Sequence, residues 1–255
     1  MIGLKAVVSS AFPHFGEESC LIGRHGSGTI FFCGCNLRCV FCQNFEISHQ
    51  PSGEKVSAET LAEMMLALQA SGVHNINLVT PDHVVPQILA ALVIAVSRGL
   101  NLPLVYNTSA YSSLETLVWL DGVVDIYMPD FKMSDPANAR LYLQAKDYPQ
   151  VAEDAIQEMH RQTGDLIFDE RGLAKRGVLV RHLVMPGGIS GSQKVMQALA
   201  AISPDTYVNI MGQYHPAGKT NEAKYAAINQ GISPKEVATA YQHAKSAGLW
   251  RFDHP

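Results

Sequence analysis

Six short apolar or β-branched segments, separated by segments with helical periodicity, constrain the fold of this 255-residue chain more than any other feature. They lack the polar alternation of half-exposed antiparallel strands, so we predict buried parallel strands joined by right-handed β-α-β crossovers. The predicted strands are residues 28–33, 73–80, 102–108, 123–129, 177–185 and 206–211. The sequence therefore predicts an α/β fold whose functional groups gather at the carboxyl ends of the strands.

The helices between these strands have recognisable ends. Ser57 is a predicted N-cap, and Pro86 suits the first turn of the next helix. Ser233 and Glu236 form a predicted capping box near the C-terminus, and Gly248 ends that helix.

Composition narrows the class of protein. A chain of 255 residues suits one α/β domain, and a formal net charge of −4 provides no electrostatic footprint for nucleic acid or an anionic membrane. The first residues lack the apolar core of a secretory signal, and the most apolar run, residues 88–96, is too short to span a bilayer. We expect a cytoplasmic protein with no nucleic-acid or membrane partner.

Four of the five cysteines lie within residues 33–42. Such an uneven distribution does not form a disulfide framework, and clustered thiols in a reducing compartment indicate metal. Cys35, Cys39 and Cys42 follow the first predicted strand with C-x3-C-x2-C spacing. Three thiolates this close together suit a 4Fe-4S cluster with one iron left open to an external molecule. The alternative is structural zinc, whose fourth ligand would be Cys20, Cys33 or His49.

The cysteine motif resembles the signature of the radical S-adenosylmethionine superfamily, with Phe41 as its aromatic residue. Longer stretches resemble the PflX-like group related to pyruvate formate-lyase activating enzyme, from about residue 11 onward. These stretches are GTIFFCGCNLRCVFCQNFEIS, HNINLVTPDHVVPQI, VYNTSAYSSLETL, VVDIYMPDFK, VRHLVMPGG and YVNIMGQYHPAGK.

The resemblance implies a partial (βα)6 barrel with parallel strands, in a single domain over residues 1–255. Its core would be about residues 27–215, with an N-terminal extension at 1–26 and a C-terminal helical extension at 216–255. The implied cofactors are the 4Fe-4S cluster and S-adenosylmethionine, which is cleaved to methionine and a 5'-deoxyadenosyl radical that abstracts hydrogen from a substrate.

The implied partners are an electron donor of the flavodoxin or ferredoxin type and a substrate whose class stays open. The substrate is the glycyl loop of a partner enzyme, a peptide or a small molecule. A non-catalytic iron–sulfur redox sensor is the alternative outside the enzyme class, but a sensor has no need for polar residues at successive strand ends.

Residues at the second and third strand ends are cofactor-binding candidates. Thr80 stands in a Thr-Pro-Asp-His stretch where broader relatives carry Gly-Gly-Glu, and it either contacts the cofactor or caps the next helix. By resemblance, Asn107 and Thr108 correspond to an aspartate and a threonine near the cofactor. Their amide and hydroxyl suit its ribose or methionine moiety; otherwise they are a polar strand terminus.

Charged residues mark the fourth and fifth strands. Asp130 and Lys132 have the spacing that points both side chains to one face, and the family's matching lysine neutralises the methionyl carboxylate. The alternative for this pair is a surface ion pair. Arg181 lies in an apolar strand and needs an anionic partner there, for which the methionyl carboxylate is a natural candidate.

The remaining candidates are histidines and the two other cysteines. His215 follows the sixth strand and matches a histidine near cofactor and substrate in the activating enzyme, so we predict a catalytic role; the alternative is a solvated turn residue. We expect His182 to be a satisfied core histidine, and Cys20 and Cys33 to be small buried hydrophobes.

Overall fold

The computed structural model describes residue 3, residues 5–49 and residues 52–253. The strands are β1 Ala6–His14, β2 Ser27–Phe32, β3 Glu54–Val56, β4 Ile76–Val79, β5 Leu104–Thr108, β6 Ile126–Pro129, β7 Ile167–Phe168, β8 Ala174–Leu183 and β9 Tyr207–Met211. The α-helices are α1 Ser19–Ile22, α2 Phe45–His49, α3 Ala58–Ala70, α4 Val85–Ser97, α5 Leu114–Trp119, α6 Pro136–Asn138, α7 Tyr148–Thr163, α8 Ser192–Ile202 and α9 Pro234–Ala247. A π-helical turn, Ala139–Leu143, follows α6, and two 3-10 turns span Pro186–Gly188 and Ala223–Ile228.

Six strands form the parallel part of the sheet. The strand order is β3-β1-β2-β4-β5-β6-β8-β7. Strand β9 lies off this path and pairs with the last residues of β8, from Leu179 to Leu183. The pairs β2–β4, β4–β5, β5–β6, β6–β8 and β8–β9 are all parallel. Each of the six segments predicted as a strand overlaps one of these strands, although β2 begins one residue and β8 three residues before its predicted segment. The predicted partial (βα)6 barrel is confirmed.

Three additional strands are antiparallel, which the prediction of an entirely parallel sheet did not include. Strand β1 pairs with β2 from Val8 opposite Phe32 to His14 opposite Ser27, and β3 then pairs with the start of β1. Strand β7 forms a hairpin with β8. The residues predicted as a simple N-terminal extension therefore cover the β2 edge, whose backbone groups would otherwise lack partners.

The predicted helix ends are confirmed. The Ser57 hydroxyl accepts a hydrogen bond from the Thr60 amide at the start of α3. Both hydrogen bonds of the capping box between Ser233 and Glu236 are present at the start of α9, and Gly248 ends α9 with φ +100°. These local signals need no tertiary context, which is why sequence reasoning finds them.

The main core lies between the parallel strands and the helices packed on them, and residues such as Leu61 and Met65 of α3 are fully buried in it. In the described part of the chain, no helix is long and apolar enough to cross a membrane. The loops after β2, β4, β5, β6 and β8 all leave the sheet at the carboxyl ends of the parallel strands, and the candidate site lies there.

Candidate active site

A cavity of about 450 Å³ lies at the carboxyl ends of the parallel strands. It brings together the three predicted cluster ligands and all seven predicted cofactor-binding residues, namely Cys35, Cys39, Phe41, Cys42, Thr80, Asn107, Thr108, Asp130, Lys132 and Arg181. A larger cavity, of about 660 Å³, lies beside α8 and α9. We place the site in the smaller cavity because the groups with catalytic chemistry line it.

Backbone hydrogen bonds anchor both sides of the cysteine loop. The Gly34 amide donates to the Ile47 carbonyl at 2.8 Å, and the Val40 amide donates to the Tyr142 carbonyl at 2.9 Å. Gly34 has φ +88°, and an added Cβ would lie 3.2 Å from Nε2 of His83. A glycine therefore suits this turn because the backbone is left-handed and a neighbouring ring lies close above it.

The three thiols of Cys35, Cys39 and Cys42 face a common space. Burial raises the pKa of Cys35 to about 11 and raises the pKa of Cys39 further, and each of these thiols also interacts electrostatically with Cys42. Among the described residues, no three His, Cys, Asp or Glu side chains form a group that could hold a metal ion. A cubane cluster offers each thiolate its own iron, so the ligands need to surround a space rather than converge on one point. Thiols lining one cavity fit that requirement.

The two remaining cysteines lie away from this cavity. Cys33 is buried, and its thiol hydrogen-bonds to the Ser9 side chain and the Ser52 backbone, on the β1 side of the loop. Cys20 is buried in a separate small core cluster with Leu21 and Ile126, and burial raises its pKa to about 12. Their placement agrees with the prediction that both are small buried hydrophobes.

Asp130 lies between two cations. Its Oδ1 accepts a hydrogen bond from Nε of Arg181 at 2.8 Å, and its Oδ2 accepts one from Nζ of Lys132. Burial raises the pKa of Asp130, but the charges of Arg181 and Lys132 outweigh that effect and lower it below its ordinary value. Lys132 and Asp130 do form an ion pair, but it is not the surface pair considered as the alternative, because their side chains are only 19% and 14% exposed.

The protein itself supplies anionic and polar partners for Arg181. Besides Asp130, the guanidinium contacts Oδ1 of Asn107 from Nη2 at 2.6 Å and Oε2 of Glu17 from Nη1 at 3.5 Å. Glu17 also accepts a hydrogen bond from Asn77 at 3.1 Å and lines the cavity. Burial raises the pKa of Glu17 even though Arg181 opposes it. The anionic partner expected for Arg181 is therefore present before any cofactor binds.

The two cations share Asp130 but differ in their other neighbours. The charge of Lys132 lowers the pKa of Cys39 against the larger effect of burial, so Lys132 lies beside the cysteine loop. Arg181 instead interacts with Asp130, Glu18 and Glu17. An anionic group next to the cysteines would therefore meet Lys132 first.

Thr80 has a strained backbone. Its φ is +58°, which is rare for a β-branched residue and costs on the order of 1–3 kcal/mol. Helix α4 begins at Val85 with Val84 as its N-cap, so the alternative that Thr80 caps this helix is wrong. The Thr80 amide donates to the Asn107 carbonyl at 2.9 Å, which links the ends of β4 and β5 at the cavity wall.

The hydroxyl of Thr108 is already engaged by a buried carboxylate. It donates to Asp82 at 2.8 Å, and Ser112 and Tyr106 also donate to Asp82. Burial raises the pKa of Asp82 although these hydrogen bonds lower it. Thr108 lines the cavity, but its proton is used by Asp82 and its oxygen also accepts a hydrogen bond from the Ala110 amide at 3.1 Å. One lone pair of that oxygen is left for a ligand.

His215 lies outside the cavity lining and is exposed. Its Nδ1 is 3.3 Å from Nε2 of Gln43, which does line the cavity. His215 is therefore next to the mouth rather than among the groups that surround the cysteines. Its neighbour Tyr214 is buried, packs edge-to-face on Phe41 and donates to the Ile228 carbonyl at 2.6 Å.

His182 is a core residue, as expected. It is fully buried, its Nδ1 donates to the Phe131 carbonyl at 2.7 Å, and its Nε2 lies 2.9 Å from the Ser192 hydroxyl. Burial lowers the pKa of His182 to about 4, so the ring is neutral near pH 7. Its role is to join β8 to the loop after β6 and to α8.

Sequence reasoning missed several residues of the cavity wall, among them Glu17 and Ser48. Glu17 belongs to the N-terminal segment, and only the antiparallel pairing of β1 with β2 leads that segment to the cavity. Ser48 follows the cysteine motif by a few residues, and its signal was its closeness in sequence to Cys42.

Comparisons with known proteins agree with this geometry. The family model described as Radical SAM superfamily matches residues 29–187, a range that includes the cysteine loop and every predicted cofactor-binding residue, but not His215. The protein named Uncharacterized protein MJ0674, from Methanocaldococcus jannaschii, is 32% identical over 248 residues, which cover 94% of this chain and 68% of that protein.

Proposed function

Because the chain belongs to the radical S-adenosylmethionine superfamily, we propose that Cys35, Cys39 and Cys42 hold a 4Fe-4S cluster whose open iron binds S-adenosylmethionine. The observation that carries this proposal is that the three thiols line the same cavity as the ion cluster of Lys132, Asp130 and Arg181. The thiolates would hold the cluster on one side, and the ions would orient the cofactor on the other.

A cluster held by these three cysteines would supply the electron for cleavage of S-adenosylmethionine to methionine and a 5'-deoxyadenosyl radical, the species that would abstract hydrogen from a substrate. The protein's contribution is to place and shield the reacting groups. Lys132 would donate to the methionyl carboxylate, since the charge of its ammonium acts on Cys39. The Asn107 amide and the Thr108 oxygen provide polar contacts for the ribose or the methionine moiety.

Arg181 has a different part in this proposal. Its contacts with Asp130 and Asn107 fix the side chains that face the cofactor. The guanidinium has five N–H groups, so donors are left for the cofactor after these contacts are made. Arg181 thus contributes both a charge to the cavity and order to its neighbours.

We further propose that the enzyme is similar to pyruvate formate-lyase activating enzyme within the PflX-like group, on the basis of the motifs at the strand ends. Its electron donor would be of the flavodoxin or ferredoxin type. The substrate class is a glycyl loop, a peptide or a small molecule, and anaerobic incubation with candidates followed by mass spectrometry would identify it.

The proposal is tested without a substrate. Protein reconstituted anaerobically with iron and sulfide and reduced with dithionite should slowly convert S-adenosylmethionine to 5'-deoxyadenosine and methionine. This reaction needs only the cluster, an electron and a correctly held cofactor. A reduced protein with four irons that forms no 5'-deoxyadenosine, with or without candidate substrates, would favour the redox sensor instead.

A further inference from the structure

The Ser48 hydroxyl lies between a cluster-ligand cysteine and a histidine. Its Oγ is 3.2 Å from Sγ of Cys42 and 2.8 Å from Nδ1 of His49. The Phe45 carbonyl is also within reach, at 3.3 Å. Ser48 is 8% exposed and lines the cavity, so bulk water does not compete freely for its hydroxyl.

The hydroxyl has one proton and three acceptors within reach, so it must select among them. A cysteine that binds iron does so as a thiolate, which accepts hydrogen bonds and cannot donate them. Hydrogen bonds to an ionised group are roughly twice as strong as those between neutral groups. Once Cys42 is a ligand, the Ser48 proton is therefore expected to point at sulfur.

His49 is placed to support this orientation. Its ring stacks on Phe45 with centroids 4.0 Å apart and planes 14° from parallel, so the ring is held in place. Burial and the charges of Arg38 and Lys219 lower the pKa of His49, which favours the neutral ring. A neutral imidazole carries a single N–H. If that proton is on Nδ1, His49 donates to the Ser48 oxygen and leaves the Ser48 proton free for sulfur.

We propose that His49 and Ser48 form a donor relay that ends on Cys42 and raises the reduction potential of the cluster. The proposal rests on the assignment of Cys42 as a cluster ligand. A donor at a ligand sulfur withdraws charge from the centre, so it stabilises the more negative reduced state over the oxidised one. Cys35 receives its hydrogen bond from the Leu37 backbone amide at 3.4 Å, which substitution cannot remove, whereas the donor at Cys42 is a side chain.

The test is an EPR-monitored redox titration of the reconstituted protein without S-adenosylmethionine. Ser48→Ala should shift the midpoint potential to a more negative value, and Ser48→Thr, which keeps the hydroxyl, should restore it toward the wild-type value. Ser9→Ala is the matched control, since it removes a hydroxyl beside Cys33 and should leave the potential unchanged. An unchanged potential in Ser48→Ala would overturn the proposal.

A second variant tests the direction of the relay and serves if Ser48→Ala does not retain its cluster. His49→Phe keeps an aromatic ring to stack on Phe45 but removes Nδ1. It should shift the midpoint potential in the same negative direction as Ser48→Ala, because the Ser48 hydroxyl loses the donor that orients it. The shift should be smaller, because the hydroxyl itself is still present. A positive shift, or none, would show that His49 is not a donor to Ser48 and would overturn the relay. A wild-type protein that holds no four-iron cluster would instead contradict the proposed function.

Discussion

Asp130 and Arg181 form a hydrogen-bonded ion pair across neighbouring parallel strands, with Nε of Arg181 donating to Oδ1 of Asp130 at 2.8 Å. The backbones of the two residues are also paired there, as an isolated parallel bridge beyond the end of β6. The second oxygen of Asp130 accepts a hydrogen bond from Nζ of Lys132, so one carboxylate fixes the position of both cations of the cavity. Sequence reasoning assigned both cations to the methionyl carboxylate. The structure instead gives Arg181 a second role, which is to hold Asp130 in place.

Substitutions of the two cations should therefore weaken cofactor binding to different extents. Lys132→Met should weaken S-adenosylmethionine binding to the cluster-loaded protein by about 1.5–3 kcal/mol, the range for a hydrogen bond to a charged group. Arg181→Met should weaken it by less, since part of its role is to hold Asp130 and Asn107. Isothermal titration calorimetry under anaerobic conditions measures both affinities.

The control is the free energy of unfolding of the cluster-free variants. Arg181→Met leaves Asp130 and Glu17 with fewer partners in a buried site, so this variant should lose more stability than Lys132→Met. Unchanged affinity in both single variants would contradict the assignment of the methionyl carboxylate to these cations.

Single substitutions should divide the five cysteines into two groups. Alanine at position 35, 39 or 42 should remove the cluster, since each thiol is the predicted ligand of a separate iron. Cys20→Ala and Cys33→Ala should leave it intact, because neither side chain lines the cavity. Iron and sulfide quantitation with the visible absorption spectrum measures the outcome. If Cys33 proved as necessary as the other three, a closed site with four thiolates would replace the open cluster.

How much of this site the sequence predicts depends on whether the signal is local. Asn107 was found from the family resemblance as well as from its place at a strand end. Asp130 and Lys132 were found because parallel strands end at one edge, where any polar residue has a high chance of facing the site. Arg181 was found because a charge inside an apolar strand requires a partner. Both arguments use only the position of a residue in its own strand.

The partner of that charge was not predictable in the same way. Glu17 meets Arg181 across a separation of 164 residues, through a segment predicted only as an extension. The pairing of β1 with β2 depends on an antiparallel register that the search for buried parallel strands does not detect. The positive φ of Thr80 was likewise invisible, because nothing in a threonine signals a left-handed backbone.

Acid should destabilise the cluster-free protein through His182. Its pKa is lowered to about 4 in the folded state, against 6.5 ordinarily, so between these values the unfolded chain binds a proton that the folded chain does not. The stabilisation is fully present above pH 6.5 and falls as the pH approaches 4, by up to about 3 kcal/mol at about 1.36 kcal/mol per pKa unit.

Urea denaturation between pH 7 and pH 4.5 measures this dependence. His182→Gln should be less stable at pH 7 but should lose less stability on acidification than the wild type, because it has no proton to gain. Equal pH profiles for His182→Gln and the wild type would contradict the buried neutral state of His182.

His215 should act on substrate rather than on the cofactor. It is exposed, it is not among the described residues that line the cavity, and it contacts the lining residue Gln43. His215→Ala should therefore change substrate-free formation of 5'-deoxyadenosine by less than about tenfold, which is about 1.4 kcal/mol in the barrier. Lys132→Met should lower the same rate further, because it removes a contact with the cofactor itself. Liquid chromatography of 5'-deoxyadenosine under saturating S-adenosylmethionine measures both rates.

With the true substrate present, His215→Ala should lower product formation more than it lowers substrate-free cleavage. The reason is that product formation uses the mouth of the cavity, whereas substrate-free cleavage does not. A larger loss of substrate-free cleavage in His215→Ala than in Lys132→Met would instead place His215 against the cofactor.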